Sequence, residues 1–206
     1  QLRKDCDFAS AKLASSDIGA EYTKLVDEHV PLILRDLQPQ WVHANFTPAM
    51  CRQHAKTLRI RVYNCEGGRE HCRLWDLYHL FVWDFSKRGL EAGTQAFPVA
   101  LRAYFKHCDA PPSRKEAALL VPVFLLRTGL LLAECVDELE RDDLDVVLRA
   151  RKNGVDVNSF RGVGAPPLLK REKRVALLER RQKTLLRVWR TLHKKRDWLR
   201  EIFEES

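Results

Sequence analysis

The sequence predicts an all-α protein, an irregular helical bundle that ends in a long basic amphipathic helix. Three observations carry that expectation. Nearly every apolar stretch recurs at steps of three and four rather than two. Gly and Pro number only nine each in 206 residues, too few for a sheet-rich domain full of tight turns. From residue 168 to 203 neither occurs at all, so a helix there meets no breaker. The composition, 45% apolar and 31% charged, is that of a globular chain.

In chain order, residues 1–13 read as a polar lead-in, and residues 14–140 as the helical body. The first helix starts near Ser16 and places Ile18, Tyr22, Leu25 and His29 on one face, with Pro31 kinking or interrupting it. Thr47-Pro48 is a start signal, a hydroxyl cap followed by Pro at the first helical position. Met50, Cys51, His54 and Leu58 would line one side of that second helix. Residues 59–68 break the pattern, and Gly67-Gly68 marks a loop. From about Glu70 to Lys87 apolar groups surround the helix, the mark of a buried central element, and Gly89 stops it. A further helix begins near Pro98 and closes at Pro111-Pro112.

Ser113-Arg114-Lys115-Glu116 is a capping box ahead of the apolar run 117–136. That run has the length of a membrane span. Arg127 at its middle would cost about 2.5–3.5 kcal/mol in a bilayer. Pro122 and Gly129 weaken the helix further, so a kinked core helix is expected. Arg127 would then reach the surface or an acidic partner. Residues 141–167 form a short helix and loop linker, the helix opening at Asp142-Asp143 and stopping at Asn153-Gly154.

Within that linker, Val146, Val147, Gly154, Asp156, Val157, Asn158, Gly164, Pro167 and Leu168 fall in an ungapped pattern. Residues 144–168 resemble one degenerate unit of an ankyrin repeat. Arg149 and Ala150 stand where the family carries late-helix leucines, and Pro166 and Leu169 replace its usual Thr and His. No second copy follows at a spacing near 33, and stacked repeats need about three units for stability. The resemblance implies protein binding and no catalysis.

The six cysteines are few for a chain long enough to build its own core, which points to reduced thiols and an intracellular setting, organelles such as the mitochondrion included. Asn45-Phe46-Thr47 matches a glycosylation sequon, but Pro48 follows it directly. The best metal set is Cys51, His54, Cys65 and Cys72. It lacks the paired C-x2-C knuckle, so neither metal nor cofactor is expected. No nucleophile elbow, phosphate-cradling loop, dinucleotide fingerprint or H-E-x-x-H occurs. Asp76 and His79, three apart, read as a satisfied core pair before they read as catalytic.

The chain carries a formal net charge of +8, and its last stretch holds most of it. Residues 168–206 contain thirteen Lys or Arg against six Asp or Glu, a surplus of +7. Val175, Leu178, Gln182, Leu185, Trp189, Leu192, Arg196, Leu199 and Phe203 form a stripe at alternating steps of three and four. Leu178, Leu185, Trp189, Leu192, Trp198, Leu199 and Phe203 are the expected anchors for a protein partner. Arg171, Lys173, Arg174, Arg180, Arg181, Lys183, Arg187, Arg190, Lys194 and Lys195 form the expected basic face, suited to RNA or an anionic membrane surface. The chain therefore reads first as a non-catalytic interaction or scaffold subunit of a larger intracellular assembly, docking through its last helix. An RNA-associated, ribosomal-type accessory protein using the basic face of residues 170–200 is the alternative. A helical enzyme and a secreted helical signalling protein follow behind.

Overall fold

The computed structural model describes residues 1–43, 51–53, 57, 60–62, 68–106, 113–140 and 171–204. They form α1 (Leu2–Leu13), α2 (Gly19–Asp36), β1 (Gln40–Val42), β2 (Cys51–Gln53), β3 (Ile60–Val62), β4 (Arg69–His71), α3 (Leu74–Lys106), α4 (Arg114–Glu140), α5 (Arg171–Lys194) and α6 (Arg196–Glu204). The class is all-α. β1 pairs antiparallel with β4, Gln40 opposite His71, and β2 with β3, Cys51 opposite Val62.

The organising element is α4, which has no polar face along its middle. Every residue from Leu119 to Ala133 is buried, Arg127 and Thr128 included. Its sequence is long and apolar enough to span a membrane, yet 89% of its most apolar window is buried inside the chain itself. The core reading of residues 117–136 therefore holds. α1, α2, α3, α5 and α6 all pack against it. Its start is the expected capping box: Glu116 N–H donates to Ser113 Oγ (3.1 Å), and Ser113 N–H donates to Glu116 Oε2 (2.9 Å).

The lead-in is a helix instead of a polar strand of chain. Leu2, Cys6, Ala9 and Leu13, at steps of four, three and four, are all buried. Cys and Ala are weakly apolar, which hides this stripe in a polar segment. Pro31 is accommodated inside α2. The expected stop at Gly89 and restart near Pro98 are both overturned, because α3 runs unbroken through them. Phe97 and Leu101 are buried beside Pro98, and such packing outweighs the local cost of a breaker. Residues 44–50, with the expected Thr47-Pro48 start, lie outside the described residues. Cys51–Gln53 is strand, not helix, because it pairs with the β-branched Ile60 and Val62 register.

Residues 141–170 lie outside the described residues, and with them the short helix, the linker and the ankyrin-like unit. The long last helix is present from 171 to 204 with one irregular residue, Lys195. Its N–H still bonds Thr191 C=O (2.8 Å), and its C=O accepts from Leu199 N–H (2.9 Å).

Aromatic contacts tie the layers together. Phe81 meets Phe97 and Phe124 with ring centroids 5.2 and 5.6 Å apart, and Phe105 of α3 meets Phe203 of α6 at 5.0 Å. Tyr22 of α2 lies against Gly129 of α4, with its hydroxyl donating to Leu126 C=O (3.2 Å). A methyl group on Gly129 would overlap the Tyr22 ring. Gly129→Ala should therefore destabilise by about 1–3 kcal/mol although Ala is the better helix former. A melting curve checks this, with a fall of about 2–12 °C expected for a chain of this length.

Glu116 also receives Arg73, whose Nε and Nη2 donate at 2.6 and 2.7 Å. Burial alone would raise the Glu116 pKa, but the Arg73 and Ser113 hydrogen bonds outweigh it and hold the carboxyl below its ordinary value of about 4.5. A lowered carboxyl pKa contributes stability above the unfolded value and loses it as pH falls through the folded one. Glu116→Gln should cost about 1.5–3 kcal/mol at pH 7. The gap to wild type, followed by denaturant melts, should close below about pH 4.5.

Candidate nucleic-acid interface

The last two helices carry two stripes in opposite phase. On the inner side, Leu178, Leu185, Leu192, Leu199 and Phe203 are buried against the body, and Trp189 is only 3% exposed. Trp189 Nε1–H donates to Glu21 Oε2 (3.3 Å), and its ring faces Tyr22 at 6.2 Å. Trp198 is half-buried against the same core. Of the seven residues expected as docking anchors, six are thus covered by α2, α3 and α4 and Trp198 is half-buried, so the stripe serves the chain's own core.

On the outer side, Arg180, Lys183, Arg187, Arg190 and Lys194 follow steps of three, four, three and four, and all five are exposed. At 1.5 Å per residue the ridge spans about 21 Å. No ion pair involves any of the five among the described residues. α5 holds nine Lys or Arg against two Glu, so the ridge sits in a field of one sign.

The other expected basic residues take different places. Lys173 is exposed at the start of α5, and Arg171 opens that helix. Arg174 turns inward to Glu138 of α4, its Nε donating to Oε1 at 3.2 Å. Lys195 is half-buried, its ammonium 5.8 Å from the Trp198 ring centroid. Arg181 is exposed but lies on the inner, α4-facing side. Separating the ridge from Arg174 and Arg181 was within reach of the sequence, because only the ridge residues run in antiphase to the apolar stripe.

The other chemistry-bearing residues do not converge. Cys72 is buried with a free thiol that burial pushes up to about 12, which disfavours the thiolate a metal needs. Cys51 lies in β2, while His54 and Cys65 lie outside the described residues. Among the described residues no group of three His, Cys, Asp or Glu is arranged to hold a metal ion. Asp76 Oδ2 accepts from His43 N–H (2.8 Å), joining β1 to α3. His79 Nε2 lies 3.5 Å from Arg127 Nη2. Arg127 is buried over the Trp75 ring (4.8 Å), with Nη1 3.9 Å from Glu134, so the expected acidic neighbour is present.

No family model matches the chain, and neither a curated protein nor a solved structure matches it. The geometry of the two stripes is thus the observation on which function is argued.

The stripes should respond oppositely to mutation. Leu185→Ala on the inner stripe should cost about 2–5 kcal/mol, since it opens a cavity in the core. Neutralising any one ridge cation to Gln should change stability by no more than about 0.5 kcal/mol. Urea midpoints for the two kinds of variant check this directly.

Proposed function

We propose that this chain is a non-catalytic, RNA-associated accessory protein, held against phosphates by the outer ridge of α5. The observation that carries the reading is the in-register, exposed row Arg180, Lys183, Arg187, Arg190 and Lys194. A regular row of cations on a rigid helix suits a linear polyanion, because phosphate contacts need charge and reach rather than shape. A protein interface would need desolvated aromatic or aliphatic anchors, and the described anchors of this helix face inward. A membrane-surface helix likewise needs its apolar side free to enter the lipid, and here that side is occupied. The free, buried thiols of Cys6, Cys72 and Cys135 favour a reducing, intracellular setting for the assembly.

The ridge would position RNA without reading its sequence, since no aromatic or amide side chain lies in the row to meet a base. Affinity for a short fluorescent RNA duplex should fall steeply with salt. For five phosphate contacts the log–log slope should be about −3.5 to −4.5. Replacing all five cations by Gln should bring that slope near zero with the helical content unchanged. A slope near zero for the wild-type protein would overturn the reading.

A further inference from the structure

A cavity of about 410 Å³ lies between α3, α4 and the first half of α5. That is within the roughly 300–1,000 Å³ of small-molecule sites. Three helices give it apolar walls: Val82 from α3, Leu131 from α4, Leu178 and Leu185 from α5. Leu177 also lines it while remaining 45% exposed, so part of the apolar lining meets solvent. The ionic side chains of the lining are all cationic: Arg174, Arg180 and Arg181.

Arg181 is the informative one. Arg174, Arg181 and Val188 are seven residues apart, and Val188 is fully buried, so all three point toward α4. Arg174 meets Glu138 there. Arg181 has no acidic partner among the described residues. It lines the cavity itself, beside Leu178 and Leu185 and on the side of α5 opposite Arg187 and Arg190 of the outer ridge. An inward cation above greasy walls matches a ligand that is apolar along most of its length and anionic at one end.

We infer that the cavity binds an anionic amphiphile, a single acyl chain lying among α3, α4 and α5 with its carboxylate or phosphate at Arg181. Arg180 flanks the head group, and Val82 and the exposed Leu177 cover the chain over a floor formed by the edges of Leu131, Leu178 and Leu185. A cationic head would meet the guanidinium groups of Arg180 and Arg181 and be rejected, Arg174 being already paired with Glu138. The site meets the RNA-facing ridge only at Arg180, while Arg181 is not part of that row.

Calorimetric titration of the full chain with three probes tests this: palmitate, lysophosphatidic acid, and hexadecyltrimethylammonium. At least one anionic probe should bind and the cationic one should not; the tighter of the two anions identifies the head group as carboxylate or phosphate. Arg181→Gln, an exposed and therefore structurally tolerated change, should weaken anion binding by about tenfold, the loss of a charge-assisted hydrogen bond. Arg187→Gln, on the outer ridge, should leave it unchanged while lowering RNA affinity. The inference is overturned if the folded protein binds neither anion, if the cationic probe binds as well as the anions, or if Arg181→Gln binds like wild type.

Discussion

A single constraint shapes this molecule: α4 must be covered on every side. Water around its apolar middle would cost about 25 cal/mol for each square ångström left exposed, and buried residues run without a gap from Leu119 to Ala133. One neighbour cannot enclose a helix with no polar face. α1, α2 and α3 take part of the circumference, and α5 with α6 takes the rest. The apolar stripe of the last two helices is therefore drawn inward. The cations in antiphase to it are left outside, because helical geometry fixes the two faces about half a turn apart. The ridge is a consequence of how the core closes.

The same helix holds a charge where none is expected. Arg127 is 6% exposed, stacked over Trp75 and near His79 and Glu134. A buried guanidinium is tolerated when its surroundings are electron-rich or acidic, and an aromatic face, an imidazole nitrogen and a carboxylate supply that. At the next residue, Thr128 hydrogen-bonds the Tyr78 hydroxyl and the Phe124 carbonyl. These polar contacts give α3 and α4 a fixed register that apolar packing alone leaves loose. They also lie behind the cavity on whose rim Arg181 sits, since His79 belongs to both.

Much of this was legible in the chain before its structure. The capping box at Ser113 and Glu116 and the core character of residues 117–136 both emerge from local chemistry, and so does the phase of the last apolar stripe. What periodicity cannot supply is the identity of whatever covers a face. The stripe of Leu178, Leu185, Trp189 and Leu192 reads the same whether its cover is another protein or α4. That is why the helix and its phase are legible in the sequence while what covers the stripe is not. Residues 1–13 were missed because Cys6 and Ala9 barely register as apolar. α3 was cut at Gly89 and Pro98 because local breakers are visible in a sequence and the packing that overrides them is not.

Native-state hydrogen exchange resolved by residue tests most directly whether the tail is a structural part of the body. The amides of α5 from Leu185 to Leu192 should be protected to nearly the same extent as those of α4, since both would open only with the core. Fast exchange across α5 beside a protected α4 would mean that the last helices stand free of the body, and the account given for both of their faces would be wrong.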